Sequence, residues 1–399
     1  MRKISILLFI FLTFSADLKV TVFPFIHWIA WALLIFPYMM KDFFKKGIKV
    51  SPFLGIGVLT LLLGILTSSI NSPDYEFFVQ MTKLLLIFLT MYYFLNYETI
   101  SLKIMFFMFN ILVIANFLFL MMGLAGFPTA WILTADGRWG TILNYPGSLV
   151  KIGSLAFFLN IMLVVFTKKF IYFIMMTLSL VIVYMDGSRT GMLLIILTLI
   201  LVPIFYIVGN FKDKIKVIIV PVLVVFLFTV AILINIKLFL GTRIGESILS
   251  ILNSESLSVG LEAIDPARYM MLIAALEKII ENPLVGTGAF TTVAIYTDGS
   301  SMVVHNTYLQ AWGDFGLLGV LSLTLISCGW IYLLPNALKK IQVINNGFMK
   351  AIFCSSIMML LYYVLSGLFH PYSTEFSEWM TFILPMTAYL TLYKKFGTK

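Results

Sequence analysis

The sequence is poor in charged residues. Asp, Glu, Lys and Arg together make up only 11% of its 399 residues, whereas 61% are hydrophobic. A soluble domain has about 25% charged and about 45–50% apolar residues, so this composition excludes a water-soluble fold. Cysteine is scarce as well. Cys328 and Cys354 both fall in apolar runs, which favours small buried hydrophobic side chains over a disulfide or a metal pair.

The sequence also lacks the common signatures of soluble enzymes. It contains no phosphate-binding P-loop, no GxSxG nucleophile motif and no dinucleotide fingerprint. No polar block is long enough to form a separate soluble domain. Apolar runs such as 217–240 have the length of a membrane-spanning helix rather than of a barrel strand. The sequence therefore predicts an all-α polytopic membrane protein, with residues 1–399 in a single integral membrane domain.

Apolar windows between charged or Pro/Gly/Asn-rich breaks predict about twelve transmembrane helices. Their approximate ranges are 4–16, 20–40, 52–70, 77–96, 104–124, 148–167, 170–185, 190–209, 217–239, 314–337, 348–369 and 377–393. The first follows Arg2 and Lys3, as in a signal peptide. A cut after Ala16 would place Phe14 where a small residue is required, so we expect this segment to be retained.

The net charge of +9 is distributed unevenly along the chain. With both termini placed in the cytoplasm, the inner loops collect most of the lysines and arginines, as the positive-inside rule requires. We therefore interpret the charge as a topology signal and not as a nucleic-acid-binding surface. Nearly all the inner cations are lysines, whereas arginines predominate on the outer side. Because the guanidinium group suits bidentate recognition of phosphate or carboxylate, we predict an anion site on the outer face.

Two outer loops are long, at about 125–147 and 240–313. In the second, Asp265-Pro266 predicts the start of a helix, and Asn282-Pro283 predicts its end near Glu281. The segment mixes apolar with charged residues. We therefore expect a short amphipathic helix that either packs on the bundle or lies in the outer membrane–water interface.

One histidine, His305, precedes a predicted span. If residues 303–319 are helical, Gly316 lies about three turns away on the same face, and Gly313 and Gly319 help to keep that face small enough for close helix approach. Histidine ordinarily exchanges a proton near neutral pH, so His305 is a candidate base for an attacking hydroxyl. The alternative is an interfacial histidine that only hydrogen-bonds a neighbour.

Three arginines are candidate ligands for an anion. Arg268 falls near the third position of its helix, where a cation opposes the helix dipole unless an anion also binds there. Arg189 lies in a tight turn before the next span, and Arg138 lies in the first long outer loop; Arg243 is a weaker candidate. The ordinary alternatives are an exposed interfacial cation for Arg268 and a salt bridge with Asp186 for Arg189.

Several other polar residues are weaker candidates for a functional role. Lys83 and Lys151 fall within predicted spans and must face the interior, water or a snorkelling route. Asp74-Tyr75-Glu76 could hold a divalent ion in a short outer loop, but no second cluster supplies further ligands. We interpret His27 and His370 as structural.

Three motifs together resemble the bacterial O-antigen ligase and polymerase superfamily. They are Ser188-Arg189-Thr190-Gly191 at the start of a span, the segment 265–290 with Arg268 and the run from Asn282 to Gly288, and His305-Asn306 followed by Gly316 and Gly319. The resemblance covers about residues 138–320. The first five spans match only in their hydrophobic character.

The resemblance implies a glycosyltransferase that needs no metal or other cofactor and acts on the outer face of the bacterial inner membrane. The donor would be a glycan on undecaprenyl pyrophosphate, and the leaving group is then already activated. The acceptor would be a lipid-linked repeat unit or lipid A-core. Membrane lipids and a chain-length regulator would be further partners.

The resemblance also implies roles for individual residues. Arg189 and Arg268 would hold the pyrophosphate, with Arg138 as an additional donor near the same cavity. His305 would activate or orient the acceptor hydroxyl. The supporting residues would be Asn306 and Gly316.

Three functions remain open at the level of sequence. The first is an O-antigen or capsular polysaccharide polymerase, and the second is an O-antigen ligase that attaches the polymer to lipid A-core. The third belongs to another class, a flippase or exporter of lipid-linked glycans. A flippase should line a central cavity with cations through the membrane, whereas the arginines of this chain fall near the outer mouth, so transport ranks below catalysis.

Overall fold

The computed structural model of the protein describes residues 2–46, 51–71, 75–97, 102–127, 131–134, 137–209, 265–296 and 299–396. Three of the sequence-based interpretations fall outside these ranges: the predicted span 217–239, the weaker candidate Arg243, and Asp74 of the alternative metal site.

The described residues are mostly helical. The helices are α1 (Arg2–Phe14), α2 (Leu18–Thr21), α3 (Ile26–Leu34), α4 (Phe36–Lys46), α5 (Pro52–Ser68), α6 (Tyr75–Tyr97), α7 (Leu102–Leu124), α8 (Ser148–Thr167), α9 (Phe170–Asp186), α10 (Arg189–Leu199), α11 (Leu201–Gly209), α12 (Pro266–Glu281), α13 (Thr307–Cys328), α14 (Leu334–Val343), α15 (Gly347–Ser366) and α16 (Phe376–Lys395). A short 3-10 helix, Gly329–Leu333, joins α13 to α14.

Six helical stretches in the described part of the chain are long and apolar enough to cross a membrane. They are Phe78–Asn96, Leu102–Leu124, Ser148–Thr167, Thr190–Gly209, Thr307–Val343 and Gly347–Ser366. Two shorter apolar helices are Pro52–Ser68 and Phe170–Asp186. The protein is thus a helical, multi-pass membrane protein, as the composition predicts. The total of about twelve spans stays a prediction, and the span expected at 20–40 is divided among α2, α3 and α4.

The centre of the bundle is formed by α8, α15 and α16. Each of these helices buries most of its side chains, in α15 without interruption from Ala351 to Leu360. A helix that is apolar around its whole circumference is stable only in such surroundings. The remaining described helices pack around this centre, so the positions of the ends of α8, α15 and α16 are fixed on all sides.

Small residues bring α5 close to α13. A Cβ atom added to Gly57 would lie 2.7 Å from Cγ1 of Ile326, and one added to Gly64 would lie 3.3 Å from the backbone nitrogen of Gly319. Membrane helices associate through such small-residue contacts because lipid provides no hydrophobic force between them. The close approach predicted for the glycines of α13 is therefore present at Gly319.

The described part of the structure contains two β-hairpins in addition to the helices that the sequence predicts. Strand β1 (Trp131–Leu133) pairs antiparallel with β2 (Trp139–Thr141), with Ile132 opposite Gly140. Strand β3 (Val293–Ile295) pairs antiparallel with β4 (Ser301–Val303). Each hairpin lies in one of the two segments interpreted as long outer loops. The expected helix of the second loop is confirmed as α12, whose buried stripe of Met271, Ala275 and Ile279 packs toward α13 and β3.

The prediction of one continuous helical face from His305 to Gly316 is wrong. Helix α13 begins at Thr307, and it is interrupted at Gly316, where φ is 64° and ψ is −159°. The reason is a backbone contact from a distant segment. A Cβ atom at Gly316 would lie 2.2 Å from the carbonyl oxygen of Leu284, and one at Gly286 would lie 2.3 Å from the carbonyl oxygen of Asp314.

The carboxylate of Asp314 fastens the kink to the segment after α12. It accepts hydrogen bonds from the backbone nitrogens of Phe290 and Thr292, both at 2.9 Å, and from the Thr292 hydroxyl at 2.6 Å. The Gln310 amide donates a further one at 3.3 Å. A fully buried carboxylate is tolerated only when its oxygens are satisfied in this way. Asp314 therefore ties α13 to the segment that leads to β3 and His305.

We predict that Gly316→Ala destabilises the protein well beyond the cost of its backbone angle. The left-handed φ alone costs about 1–3 kcal/mol for a residue with a side chain. The collision with the backbone of Leu284 adds to that cost. The free energy of unfolding in detergent micelles would measure it. Gly126→Ala is the matched control, because Gly126 has a φ of +96° and no atom within 4 Å of an added Cβ. Equal losses for the two variants would contradict the importance of the backbone contact.

Candidate functional site

One end of the bundle gathers the polar residues that the sequence singled out. The amino termini of α8, α10, α12 and α13 and the carboxyl end of α15 meet at this end, through the contacts given below. Helix amino termini carry partial positive charge and unpaired N–H groups, so their convergence favours an anion. The strap that closes this end is residues 367–375, which connects α15 to α16.

His305 lies between strand β4 and helix α13 and is half-buried. Its Nδ1 atom lies 2.8 Å from the carbonyl oxygen of Val303. Because a carbonyl oxygen can only accept a hydrogen bond, Nδ1 carries the proton of the neutral ring. The lone pair is then on Nε2, on the opposite side of the ring. This tautomer suits a general base, and the β3–β4 hairpin fixes its orientation.

Asn306 holds His305 in place against the strap. It is the N-cap of α13, and its Oδ1 atom accepts from the backbone nitrogens of Tyr308 at 3.1 Å and Leu309 at 3.0 Å. Its Nδ2 atom donates to the carbonyl oxygen of Leu368 at 3.3 Å. One side chain thus caps the helix and binds the strap, and a supporting role of Asn306 in the reaction stays a prediction.

Thr307 provides the second attachment of the strap. Its backbone nitrogen donates to the carbonyl oxygen of Gly367 at 2.7 Å, and its hydroxyl donates to the carbonyl oxygen of His370 at 2.8 Å. The residue after the N-cap therefore fixes the strap directly beside His305. The strap and the residue next to His305 are thus joined by two hydrogen bonds.

Arg268 projects from the first turn of α12 toward the same strap. The Asp265 carboxylate caps the helix by accepting from the backbone nitrogen of Arg268 at 3.1 Å, and it also lies 3.3 Å from the Arg268 Nε atom. The guanidinium group lies over the ring of Phe369, 5.8 Å from its centre, and 3.5 Å from the Thr190 hydroxyl. The Arg268 side chain is 42% exposed, so it has donors left for a ligand from outside.

Arg189 is the first residue of α10, adjacent to Thr190. The Ser188 hydroxyl caps this helix by accepting from the backbone nitrogen of Gly191 at 3.1 Å. The contact between Thr190 and Arg268 therefore brings the starts of α10 and α12 together. The side chain of Arg189 lies outside the part of the chain that the structure describes, so its role stays a prediction.

Arg138 makes its polar contacts within the protein. Its NH2 atom lies 2.8 Å from Oδ1 of Asp186, and its Nε atom donates to the carbonyl oxygen of the same residue at 3.0 Å. The other carboxylate oxygen of Asp186 accepts from the backbone nitrogens of Gly147 at 2.6 Å and Val150 at 2.9 Å. The completely buried Asp186 thus caps α8 and pairs with Arg138. Direct contact of Arg138 with an anion stays a prediction.

Gly316 lies about two and a half turns into α13, at the kink. Gly316 makes a close backbone contact that positions the segment before His305. It supports the site through the fold and not by lining the outer mouth.

From the sequence, we interpret His370 as a structural residue. This histidine lies in the strap and lines a cavity together with Tyr372, Ser373 and Glu378. Burial, together with the positive charge of Lys151, lowers the pKa of His370 to about 3, and His305 and Arg268 are near enough to lower it as well. His370 is therefore neutral at pH 7 and adds no charge beside His305. Nothing in the sequence marks His370, because its surroundings come from four separate elements.

The two lysines within predicted spans both have acidic partners. Lys151 of α8 pairs with Glu378 at 2.5 Å, and Lys83 of α6 lies 3.5 Å from Glu375. Among the described residues, no group of three or more His, Cys, Asp or Glu side chains is arranged to hold a metal ion.

The fold and this end of the bundle define a class: a multi-pass helical membrane protein in which a histidine and an arginine at the starts of two helices lie against the same strap. Residues 174–324 match a family model described as O-antigen ligase. This match supports the resemblance of the chain to the O-antigen ligase and polymerase superfamily. The members are glycosyltransferase-like enzymes of polysaccharide biosynthesis that act on lipid-linked glycans and their acceptors.

The match includes Arg189, Arg268, His305 and Gly316 and ends within α13. Residues 1–173, with Arg138, and the strap fall outside it. No curated protein is detectably similar to the chain.

We predict that Asp186→Asn lowers stability more than Arg138→Gln. The asparagine keeps one acceptor oxygen, so at least one buried hydrogen bond of Asp186 is lost, at a cost of about 1–3 kcal/mol. Arg138→Gln removes a side chain that is 28% exposed and leaves the cap of α8 intact. Melting temperatures in detergent, followed by tryptophan fluorescence, would compare the variants. A larger drop in melting temperature for Arg138→Gln than for Asp186→Asn would contradict this prediction. It would show that the Arg138 side chain contributes more to stability than the Asp186 carboxylate does.

Proposed function

We propose that the protein transfers a glycan from undecaprenyl pyrophosphate to an acceptor hydroxyl at the periplasmic face of the bacterial inner membrane, with both termini in the cytoplasm. The single observation that carries this proposal is that His305 and Arg268 both lie close to the strap, near enough to His370 to affect its pKa. A base and a bidentate phosphate ligand are the two groups that such a transfer needs.

The proposed reaction is one displacement. The acceptor oxygen forms a bond to the anomeric carbon of the donor glycan, and the bond from that carbon to the phosphate oxygen breaks. The acceptor proton goes to Nε2 of His305, and undecaprenyl pyrophosphate leaves with the electron pair. Arg268 and Arg189 stabilise the charge that develops on the leaving phosphate, while the site holds the reactants together. In this proposal the transfer uses only these side chains and no metal ion.

We propose a polymerase of O-antigen or capsular repeat units as the particular activity. The acceptor is then a second lipid-linked glycan, which fits a protein whose described residues are mostly membrane helices. The second candidate is an O-antigen ligase, favoured by the description of the matching family model. Both use the donor site and the base in the same way and differ only in the acceptor.

His305→Ala should lower glycan transfer by about 10²–10⁴-fold, the usual contribution of a general base. The measurement is a surface-polysaccharide gel, with blotting of lipid-linked intermediates, from a deletion strain that expresses the variant. Ser301→Ala is the matched control, because Ser301 is exposed on the same hairpin. Normal product from well-inserted His305→Ala protein would remove the histidine from the mechanism.

The same gel distinguishes the two candidates. Single repeat units on the core, without a ladder, in the deletion strain support a polymerase. Bare core together with polymer on the undecaprenyl carrier supports a ligase. An unchanged profile would contradict both and would favour transport of lipid-linked glycans.

We predict that Arg268→Lys lowers transfer by about 10–100-fold even though the charge is kept. Lysine lacks the planar fork that binds two phosphate oxygens at once. Lys278→Arg is the matched control, since Lys278 lies on the same helix and pairs with Glu281 at 2.7 Å. The assay is transfer in membranes with equal amounts of inserted protein. Full activity of Arg268→Lys would identify Arg268 as a surface cation without a role in donor binding.

A further inference from the structure

A second group of cations surrounds the start of α16, on the far side of the strap from Arg268. Lys19 of α2 and Lys83 of α6 lie 3.3 Å and 3.5 Å from the two carboxylate oxygens of Glu375. Lys151 of α8 pairs with Glu378 one turn later. Three helices that are far apart in the sequence thus each direct one ammonium group to the same place.

In the ion pairs of this group that the described residues form, three lysines are paired with two carboxylates. Lys19 and Lys83 share the single carboxylate of Glu375, whereas the carboxylate of Glu378 is paired with Lys151. Lys83 also lies within the membrane-spanning part of α6, where a lysine costs a few kcal/mol unless it serves a function or is fully paired. A second ammonium group held at one carboxylate leaves positive charge available for an anion.

The shared carboxylate can be reached from outside. The side chains of Lys19, Lys83 and Glu375 are 31%, 27% and 28% exposed. Glu375 is the N-cap of α16 but makes no side-chain hydrogen bond to that helix, since its oxygens face the lysines. By contrast, Asp186, which serves the fold, is fully buried and caps α8. In its contacts, Glu375 therefore resembles a carboxylate that occupies an anion-binding site when the ligand is not bound.

The strap connects this group to the proposed donor site. Phe369 contacts Arg268, and Glu375 contacts the lysines, so the backbone between the two positions spans at most about 20 Å. Between them lies the cavity lined by His370, Ser373 and Glu378. Thr374 is held in place by a hydrogen bond to Gln80, three residues before Lys83 on α6. An acceptor oligosaccharide of a few sugars is long enough to reach across that distance.

We propose that Lys19 and Lys83 form a second anion site, which binds the diphosphate of a lipid-linked acceptor while its sugar end reaches His305. The inference rests on the proposed function in its polymerase form, because a polymerase must hold two lipid diphosphates at the same time. In the free protein Glu375 occupies the site, and the acceptor diphosphate displaces it.

The test is the number of undecaprenyl pyrophosphate molecules bound to the purified full-length protein, counted by native mass spectrometry. The wild type should bind two, Lys83→Gln one, and Arg268→Gln one. Lys83→Arg should restore two, and the control Lys278→Gln should keep two. One bound lipid in the wild type, or two in Lys83→Gln with unchanged affinity, would overturn the second site.

Glu375→Gln gives an independent test with the opposite sign. Removing the competing carboxylate should tighten the second dissociation constant by about tenfold, a change typical for one charged contact. If Glu375 only clamps the lysines for stability, the variant would instead weaken binding, which would overturn the proposal. Inorganic pyrophosphate is the further probe. Its binding at the lysines when the lipid does not bind there would also overturn the assignment to a lipid-linked acceptor.

Failure of this inference is distinguishable from failure of the proposed function. Two bound lipids with one lost in Lys83→Gln, but no glycan transfer by the wild type, would support the site and contradict the polymerase. Glycan transfer with only one bound lipid would contradict the site and leave the transferase intact.

Discussion

Side-chain capping of helix amino termini is the interaction on which the functional end of this protein depends. Four caps recur there: Asp186 on α8, Ser188 on α10, Asp265 on α12 and Asn306 on α13. Backbone N–H groups near a membrane need partners within the protein, because lipid offers none. Each cap places a functional candidate within three residues of itself or pairs with one. The same residues thus provide hydrogen-bond partners for the backbone N–H groups and bring the cations together.

The second constraint is the backbone contact at Gly316. It forces α13 to break, and the break lets the segment before β3 lie against the helix, where Asp314 binds it. His305 leaves the hairpin in the orientation that this segment sets, with Nδ1 held by the carbonyl group of Val303. A straight α13 would give the histidine no such support. A glycine inside the helix thus helps to position the segment that precedes the proposed base, His305.

Local signals predicted the parts of the fold that local interactions determine. The ends of α12 follow from Asp265-Pro266 and Asn282-Pro283, and the apolar runs give most of the long helices. The two hairpins also had a signal that the sequence reasoning did not use, the Asp-Gly pairs at 136–137 and 298–299, which are typical of hairpin turns. The kink and the strap could not be predicted, because both depend on contacts between segments far apart in the chain, as for Gly316 and Leu284.

The arrangement of charge bears on the choice between catalysis and transport. A carrier for a diphosphate would need cations along a path through the bilayer, whereas the described cations of this end pair with strap, turn and helix-start residues. In the part of the bundle formed by α7 and α8, the buried Asn160 of α8 and Asn110 of α7 are neutral amides that hydrogen-bond to each other. Amides give α7 and α8 specific contacts without attracting an anion. Among the described residues, the cations near the strap can therefore stabilise a diphosphate at the end of the bundle that holds His305, which supports the proposed transfer at one face of the membrane.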